Sequence, residues 1–403
     1  MTYKETIAWM FAQLPMYQNQ GKDALNHKLD KILQFSKHLG NPEKKFKSIH
    51  VAGTNGKGSS SHMLASILQE AGYKVGLYTS PHLKDFRERI RINGKTVSQR
   101  HVIDFVVENK SFFDHNKLSF FEMTVGMAFD YFAKKSVDIA IIEVGLGGRF
   151  DSTNIIVPEV SLITNIGLDH TDLLGDSLQK IAFEKAGVIK KNVPVVVSEY
   201  QKEPAEVFQK VAKSKHAQLV FASKTIKTLY NTALLGNYQS KNVKGVVACL
   251  AALKEFVIQA SHIEAGLKNV VQNTGLLGRW QILRNHPKVV CDTAHNREGL
   301  SLVLEQVARQ EFDNLHLVLG FVKDKNLSLV LPLFPENATY YFCKPNVQRG
   351  LDAMILKQEA AKFGLHGDVY HSIEKAQKAA LKNAIATDFI FIGGSNFVVA
   401  EVV

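Results

Sequence analysis

The segment Gly53-Thr54-Asn55-Gly56-Lys57-Gly58-Ser59 has residue types and a placement suited to phosphate chemistry, following the apolar run Phe46 to Val51 and preceding a helical pattern from Ser60 through Glu70. Strand, glycine-rich turn and helix in that order aim backbone N–H groups and the positive end of a helix at an anion, with Lys57 as a movable cation for the terminal phosphates. A merely tight turn would not explain a lysine between two glycines. The loop departs from the general GxxxxGK[ST] pattern, because Val51 stands at the first glycine position and Gly58 replaces the hydroxyl residue that usually holds magnesium. Ser59, one step on, or Ser80, after the next candidate strand in Tyr78-Thr79-Ser80-Pro81-His82, could supply that oxygen.

Other candidates stand at predicted strand ends. Asp138 to Glu143 is an apolar run closed by a carboxylate and three nearby glycines, so Glu143 falls at the edge where open α/β sheets bind ligands and suits a magnesium ion. The alternative is a structural ion pair with Arg149. The next run ends in Thr164-Asn-Ile-Gly-Leu-Asp169-His170, which carries either Asp169 or His170 toward the same edge. Lys185, on a short helical segment before the Val193 strand, reads as a cation for phosphate or as a partner of Glu184. Phe112, Phe113, Phe120, Phe121, Phe129 and Phe132 read as core, and only Phe120 and Phe121, beside Ser119 and Glu122, are candidates for stacking on a flat ligand.

The elements that position these residues alternate. Short Val/Ile-rich runs at Phe46–Val51, Lys74–Tyr78, Asp138–Glu143, Val160–Thr164 and Val193–Val197 are separated by helical patterns, the rhythm of a parallel α/β sheet. It restarts at Lys288–Cys291, Leu315–Leu319, Thr339–Phe342 and Phe389–Ile392, after a helical stretch near Asn242–Val257 and a turn-rich linker, Thr274 to Trp280. Two domains are expected, 1–285 and 286–403. The Lys/Ala-rich stretch Ile373–Ala384 reads as a helix with a solvated face.

At 403 residues the chain exceeds one ordinary core, and its formal charge of +11 favours anionic partners. Lys and Arg are dispersed and no nucleic-acid module is recognisable, so small polyanions fit better than a duplex. The three cysteines, Cys249, Cys291 and Cys343, have neither metal spacing nor an even count, which points to a reducing compartment. Charges in Met1 to Thr6 and the lack of a long apolar run predict a cytoplasmic protein with no membrane partner, expected to act as a monomer.

Taken together, Gly53-Thr-Asn-Gly-Lys-Gly-Ser, Thr79-Ser-Pro-His-Leu, Glu143-Val-Gly-Leu-Gly-Gly-Arg, Asp151-Ser-Thr-Asn, Leu168-Asp-His, Glu184-Lys-Ala-Gly and Asp292-Thr-Ala-His-Asn resemble the folylpolyglutamate synthase and dihydrofolate synthase branch of the Mur ligase superfamily. The resemblance covers nearly the whole chain. It implies an N-terminal P-loop-type ATPase domain, a C-terminal Rossmann-like glutamate ligase domain, and a cleft between them that closes on ATP, magnesium and substrates. By similarity, Gly53, Thr54, Asn55, Gly56, Lys57, Gly58 and Ser59 hold the triphosphate, and Ser80, Glu143 and His170 bind magnesium. Asn242, Arg279 and Asp292 contact ATP, with His295 and Asn296 close by. Lys185 resembles the position that carbon dioxide converts to a carbamate able to bind a second magnesium.

Phe120, Phe121, Glu122 and Ser152 are then the candidates for folate contact. The implied reaction adds L-glutamate to a folate, or to dihydropteroate, through an acyl phosphate, with Lys57, Lys185 and His170 in catalytic roles. Other readings are a Mur-type ligase for another acid and a nucleotide-driven partner-binding switch. The chain departs from the family at Tyr238, where His is common, and at Leu277-Gly-Arg, where Pro-Gly-Arg is common. Gln20 to Leu25 matches poorly the loop that grips pteroate in dual-function members, which makes polyglutamylation the firmer expectation.

Overall fold

The computed structural model describes residues 1–13 and 29–403; Gln20 to Leu25, on which the pteroate-loop comparison rests, lies outside them. The chain divides into two compact units. Unit 1 is Met1–Ala233 with Gln239–Gly275, and unit 2 is Leu234–Tyr238 with Leu276–Val403.

Among the described residues unit 1 is built on eight strands: β1 (Lys47–Ala52), β2 (Val75–Tyr78), β3 (Ile90–Ile92), β4 (Lys95–Thr96), β5 (Ile139–Glu143), β6 (Val160–Ile163), β7 (Val195–Val197) and β8 (Leu219–Phe221), in the order β4-β3-β2-β5-β1-β6-β7-β8. The strands β2, β5, β1, β6, β7 and β8 run parallel, and β3 and β4 extend the edge antiparallel. Every residue of β5 is buried, as expected for an Ile-rich strand covered on both faces. In the register of the central strands, Val51 lies level with Glu143, Ala52 with Ile163, and Tyr78 with Ile142. The loops leaving β1, β2, β5 and β6 therefore open on one edge of the sheet.

The helix Lys57–Glu70 follows β1 and is buried from Ser59 through Leu68. Its small residues allow close neighbours; a Cβ on Gly266 of the adjacent helix Ala260–Lys268 would stand 2.4 Å from the Ile67 Cα. On the other face of the sheet, the phenylalanines of the helices Gln99–Asn116 and Phe120–Lys134 form the core with Phe35, Phe86 and Ile142.

Unit 2 holds six strands: β9 (Gln281–Arg284), β10 (Lys288–Cys291), β11 (Leu315–Leu319), β12 (Thr339–Cys343), β13 (Gly367–Tyr370) and β14 (Phe389–Gly393), ordered β13-β12-β11-β14-β10-β9. All pair in parallel except β9, which runs antiparallel to β10. That pairing draws the linker into unit 2, so the division falls at Gly275–Leu276 and not near 285. The helix Ile373–Asn383 buries Ile373, Ala376 and Ala380 and leaves its lysines outside, the solvated face expected. All three cysteines are buried free thiols, and burial raises each thiol pKa. Among the described residues no helix is long and apolar enough to cross a membrane.

Candidate active site

In unit 1 the loop after β1 is held in shape by the loop after β6. The Thr54 N–H donates to the Asn165 carbonyl and the Asn55 N–H to the Asn165 Oδ1, both at 2.9 Å, while the Thr164 hydroxyl donates to the Asn55 carbonyl at 2.6 Å. Gly56 caps the helix at φ +86°, and a Cβ there would lie 2.2 Å from the Asn242 Oδ1. Only glycine meets both conditions. Asn242 donates in turn to Gln239, whose amide donates to the Ser59 hydroxyl at 3.1 Å. The helix Gln239–Ala251 thus braces the loop, with Asn242 beside it.

Lys57 and Lys185 converge. Lys57 Nζ donates to the carbonyls of Gly53 and Thr54 at 3.0 and 3.2 Å, and Lys185 Nζ to the same Gly53 carbonyl at 2.9 Å. Lys185 is 4% exposed, and burial, with the Lys57 charge adding to it, lowers its pKa to about 7. Glu184 takes no part in this. It pairs with Arg149 at 2.7 Å, which answers both structural alternatives: Arg149 is the partner of Glu184, and neither Glu143 nor Lys185 is joined to those two.

Glu143 is buried at the end of β5, and the Ser80 N–H donates to its Oε2 at 3.3 Å. Ser80 therefore stands at the carboxylate, whereas the Ser59 hydroxyl is turned to Gln239, which favours Ser80 as the replacement oxygen. A buried carboxylate with a hydroxyl residue fits magnesium, which takes one or two protein oxygens and keeps the rest of its shell for water and phosphate. Among the described residues no three His, Cys, Asp or Glu side chains cluster as a metal group. His170 is exposed and begins the short helix Thr171–Leu174 at φ 51°; Asp169 accepts its N–H and faces Lys185 electrostatically.

The folate candidates separate. Phe120 is 4% exposed, stacked on Phe11 at 4.7 Å, edge-on to Phe86 and beneath Arg89, so its ring is packed as part of the core. The Glu122 carboxylate closes a capping box, accepting the Ser119 N–H and hydroxyl at 2.8 Å, which gives it a structural task. Phe121 is part-buried against Gly145, just past Glu143, where a Cβ would lie 2.4 Å from its ring. Ser152 is half-buried next to Asp151, whose carboxylate accepts the N–H groups of Gly145, Leu146 and Thr153. Phe121 and Ser152 therefore flank the loop after β5. Burial raises the Asp151 pKa, partly offset by these donors.

In unit 2 the remaining candidates gather after β10. Asp292 is 2% exposed; its Oδ2 accepts the Tyr238 hydroxyl and the Trp280 N–H, each at 2.6 Å, and its Oδ1 the Ala294 N–H at 2.8 Å. Burial raises its pKa against the pull of Tyr238 and Arg279. Arg279 reaches the Thr293 hydroxyl, His295 Nδ1 lies 3.0 Å from the Thr293 carbonyl, and Asn296 caps the helix Arg297–Ala308.

Comparison with known proteins decides the family. Residues 51–259 match the Mur ligase middle domain and residues 278–396 the Mur ligase, glutamate ligase domain. The dihydrofolate synthase/folylpolyglutamate synthase of Bacillus subtilis is 35% identical, over 80% of this chain and 80% of that protein. This chain belongs to the dihydrofolate synthase/folylpolyglutamate synthase family. A Haloferax volcanii relative whose name pairs folylpolyglutamate synthase with dihydropteroate synthase is 32% identical over 100% of this chain, which spans 50% of that protein's length. Escherichia coli FolC, in complex with DHPP and ADP, superposes with a TM-score of 0.86 at 28% identity, covering 100% of this chain and 97% of that one.

In this dihydrofolate synthase/folylpolyglutamate synthase family member, the structure also brings forward residues to which sequence reasoning gave no role. Asn165 holds two residues of the phosphate loop, Gln239 braces its helix, and Asp151 ties the loop after β5. Asn165 and Asp151 carry a readable signal, an Asn or Asp in a turn after a strand, where such side chains commonly bind backbone N–H groups. Gln239 carries none.

Proposed function

We propose that this chain is an ATP-dependent amide ligase that joins L-glutamate to a folate carboxylate and also acts on dihydropteroate. The observation that carries the reading is the register of β2, β5, β1 and β6, which collects the Gly53–Ser59 loop, Lys185, and the Ser80–Glu143 pair at one sheet edge. An unactivated carboxylate does not condense with an amine in neutral water. Transfer of the ATP γ-phosphoryl group to it makes an acyl phosphate, which the glutamate amine attacks, expelling phosphate.

The protein's part is positioning and charge. The N–H groups of the Gly53–Ser59 loop cradle the triphosphate, and Lys57 swings from the Gly53 and Thr54 carbonyls to the transferring group. Ser80 and Glu143, with His170, would hold magnesium, which supplies neutralisation of the developing phosphate charge. Nucleotide contact is assigned to Asn242, Arg279 and Asp292, with His295 and Asn296 close by, on the strength of the family resemblance. Phe121 and Ser152 contact the pterin or pteroate, and Lys185 acts as its carbamate, formed when its neutral amine adds to carbon dioxide with release of a proton.

The test is phosphate release from ATP by the purified chain, assayed with tetrahydrofolate or dihydropteroate, with and without glutamate. Release should need both an acceptor and glutamate, and Lys57→Ala should abolish it by about 100-fold or more while leaving the unfolding curve unchanged. Release without either substrate would favour the nucleotide switch. Turnover with tetrahydrofolate alone would restrict the activity to polyglutamylation.

A further inference from the structure

Tyr238 occupies a position that the proposed mechanism leaves without a role. It ends the five-residue segment Leu234–Tyr238, which belongs to unit 2 although the chain on either side of it belongs to unit 1. Two anchors fix the segment to unit 2. Gln306 brackets it, accepting the Asn237 N–H at 2.6 Å and donating to the Leu235 carbonyl at 3.0 Å, and the Tyr238 hydroxyl donates to the Asp292 Oδ2 at 2.6 Å. Gly236 lets the ring fold back, since a Cβ there would stand 2.5 Å from the Tyr238 ring.

The Asp292 carboxylate joins three pieces of chain: Tyr238, the Trp280 N–H beside Arg279, and the Ala294 N–H of the turn that carries His295 and Asn296. All of these are donors, so the arrangement requires an ionised acceptor, and burial works against ionisation. Among the described residues, the side chains that act on Asp292 include Tyr238, Arg279 and the Cys291 thiol, and His295 Nδ1 lies 3.0 Å from the Thr293 carbonyl. Tyr238 is the one side-chain hydroxyl among them.

We infer that Tyr238 is a positioning residue: by donating its hydroxyl hydrogen bond to the ionised Asp292 it keeps the acceptor that holds the Trp280 N–H beside Arg279 and the Asp292–Asn296 turn in register. Its effect on ATP rests on the nucleotide role proposed for that turn. Its effect on Asp292 does not, and the two can be measured apart.

The chain has two tryptophans, Trp9 and Trp280, and Trp280 is the one whose backbone N–H donates to Asp292. In a Trp9→Phe background, Trp280 emission followed from alkaline to acid pH reports protonation of Asp292. Tyr238→Phe should move the acid midpoint upward by about one pH unit, the size expected for losing one hydrogen bond to a charged group. The same variant should raise the KM for ATP by about tenfold with a smaller change in kcat, more so at the acid end of the pH range. Emission at alkaline pH equal to that of the parent would show that the variant is folded. A shifted midpoint with unchanged ATP kinetics would uphold the hold on Asp292 and defeat the nucleotide role of the turn. An unmoved midpoint would overturn the inference.

Discussion

Lys57 and Lys185 donate to one oxygen, the Gly53 carbonyl, at 3.0 and 2.9 Å. Two ammonium groups on a single acceptor repel, and Lys185 is the buried one, so burial and then Lys57 bring its pKa to about 7. A lysine in that range carries neutral amine at physiological pH, and carbamate formation consumes neutral amine. Arginine keeps the charge and cannot form the carbamate. Lys185→Arg and Lys185→Ala should therefore each lose activity by about 100-fold or more, with partial rescue of the alanine variant by a small carboxylate. Labelled bicarbonate should give a carbamate signal in the parent protein alone. An active arginine variant would sink the carbamate.

Gly56 tests the bracing of the phosphate loop. At φ +86°, with the Asn242 Oδ1 2.2 Å from where a Cβ would stand, Gly56→Ala suffers both backbone strain and a clash. Gly72 has φ +89° and open space around its Cβ position, so Gly72→Ala isolates the strain. Denaturant unfolding should place Gly72→Ala about 1 kcal/mol below the parent and Gly56→Ala about 2–3 kcal/mol below it. Only the latter should weaken nucleotide binding. Equal losses at the two sites would mean that Asn242 does not close on the loop.

The sequence makes the parallel core legible because β-branched runs such as Ile139–Glu143 and Val195–Val197 are buried on both faces and stand out as apolar blocks. The edge strands lack that signal. β9 alternates half-buried and exposed residues, and β13 begins with a glycine and is only half-buried, so neither shows an apolar block. Missing β9 displaced the domain boundary. The placement of the candidates Ser80 and Glu143 near strand ends was legible because the position follows from the strand. Contacts such as Gln239 with Ser59, 180 residues apart, were not, since no local spacing encodes them. At Glu122 the sequence leaves two readings open, because a carboxylate three residues after a serine signals a capping box as readily as a binding group.

The structural role of Glu122 can be checked by separating stability from binding. Its carboxylate accepts the Ser119 N–H and hydroxyl at 2.8 Å, at the start of the helix Phe120–Lys134. Glu122→Ala should cost about 1 kcal/mol in denaturant unfolding, the usual loss when a helix cap is removed. The KM for the folate should stay within about twofold, in keeping with a residue that touches no substrate. A large rise in that KM with little loss of stability would restore Glu122 to the binding site.

His50 gives a pH dependence whose sign is fixed by its surroundings. It lies in β1, fully buried, and its Nε2 is 2.9 Å from the Thr153 hydroxyl, whose own proton goes to Asp151. Burial, reinforced by the Lys190 charge, lowers the His50 pKa from 6.5 to about 3. The native protein thus keeps a neutral imidazole where the unfolded chain takes up a proton. The stability from this group is complete above about pH 6.5 and is lost as pH falls toward 3, with about 2 kcal/mol gone by pH 5. His82, also lowered to about 3 by burial and by Arg89, adds a loss of the same sign. His50→Gln retains a donor for Thr153 and removes the titration, so its urea midpoint should fall less than that of the parent between about pH 7 and pH 5. Identical falls for the two proteins would show that His50 is not held neutral in the folded state.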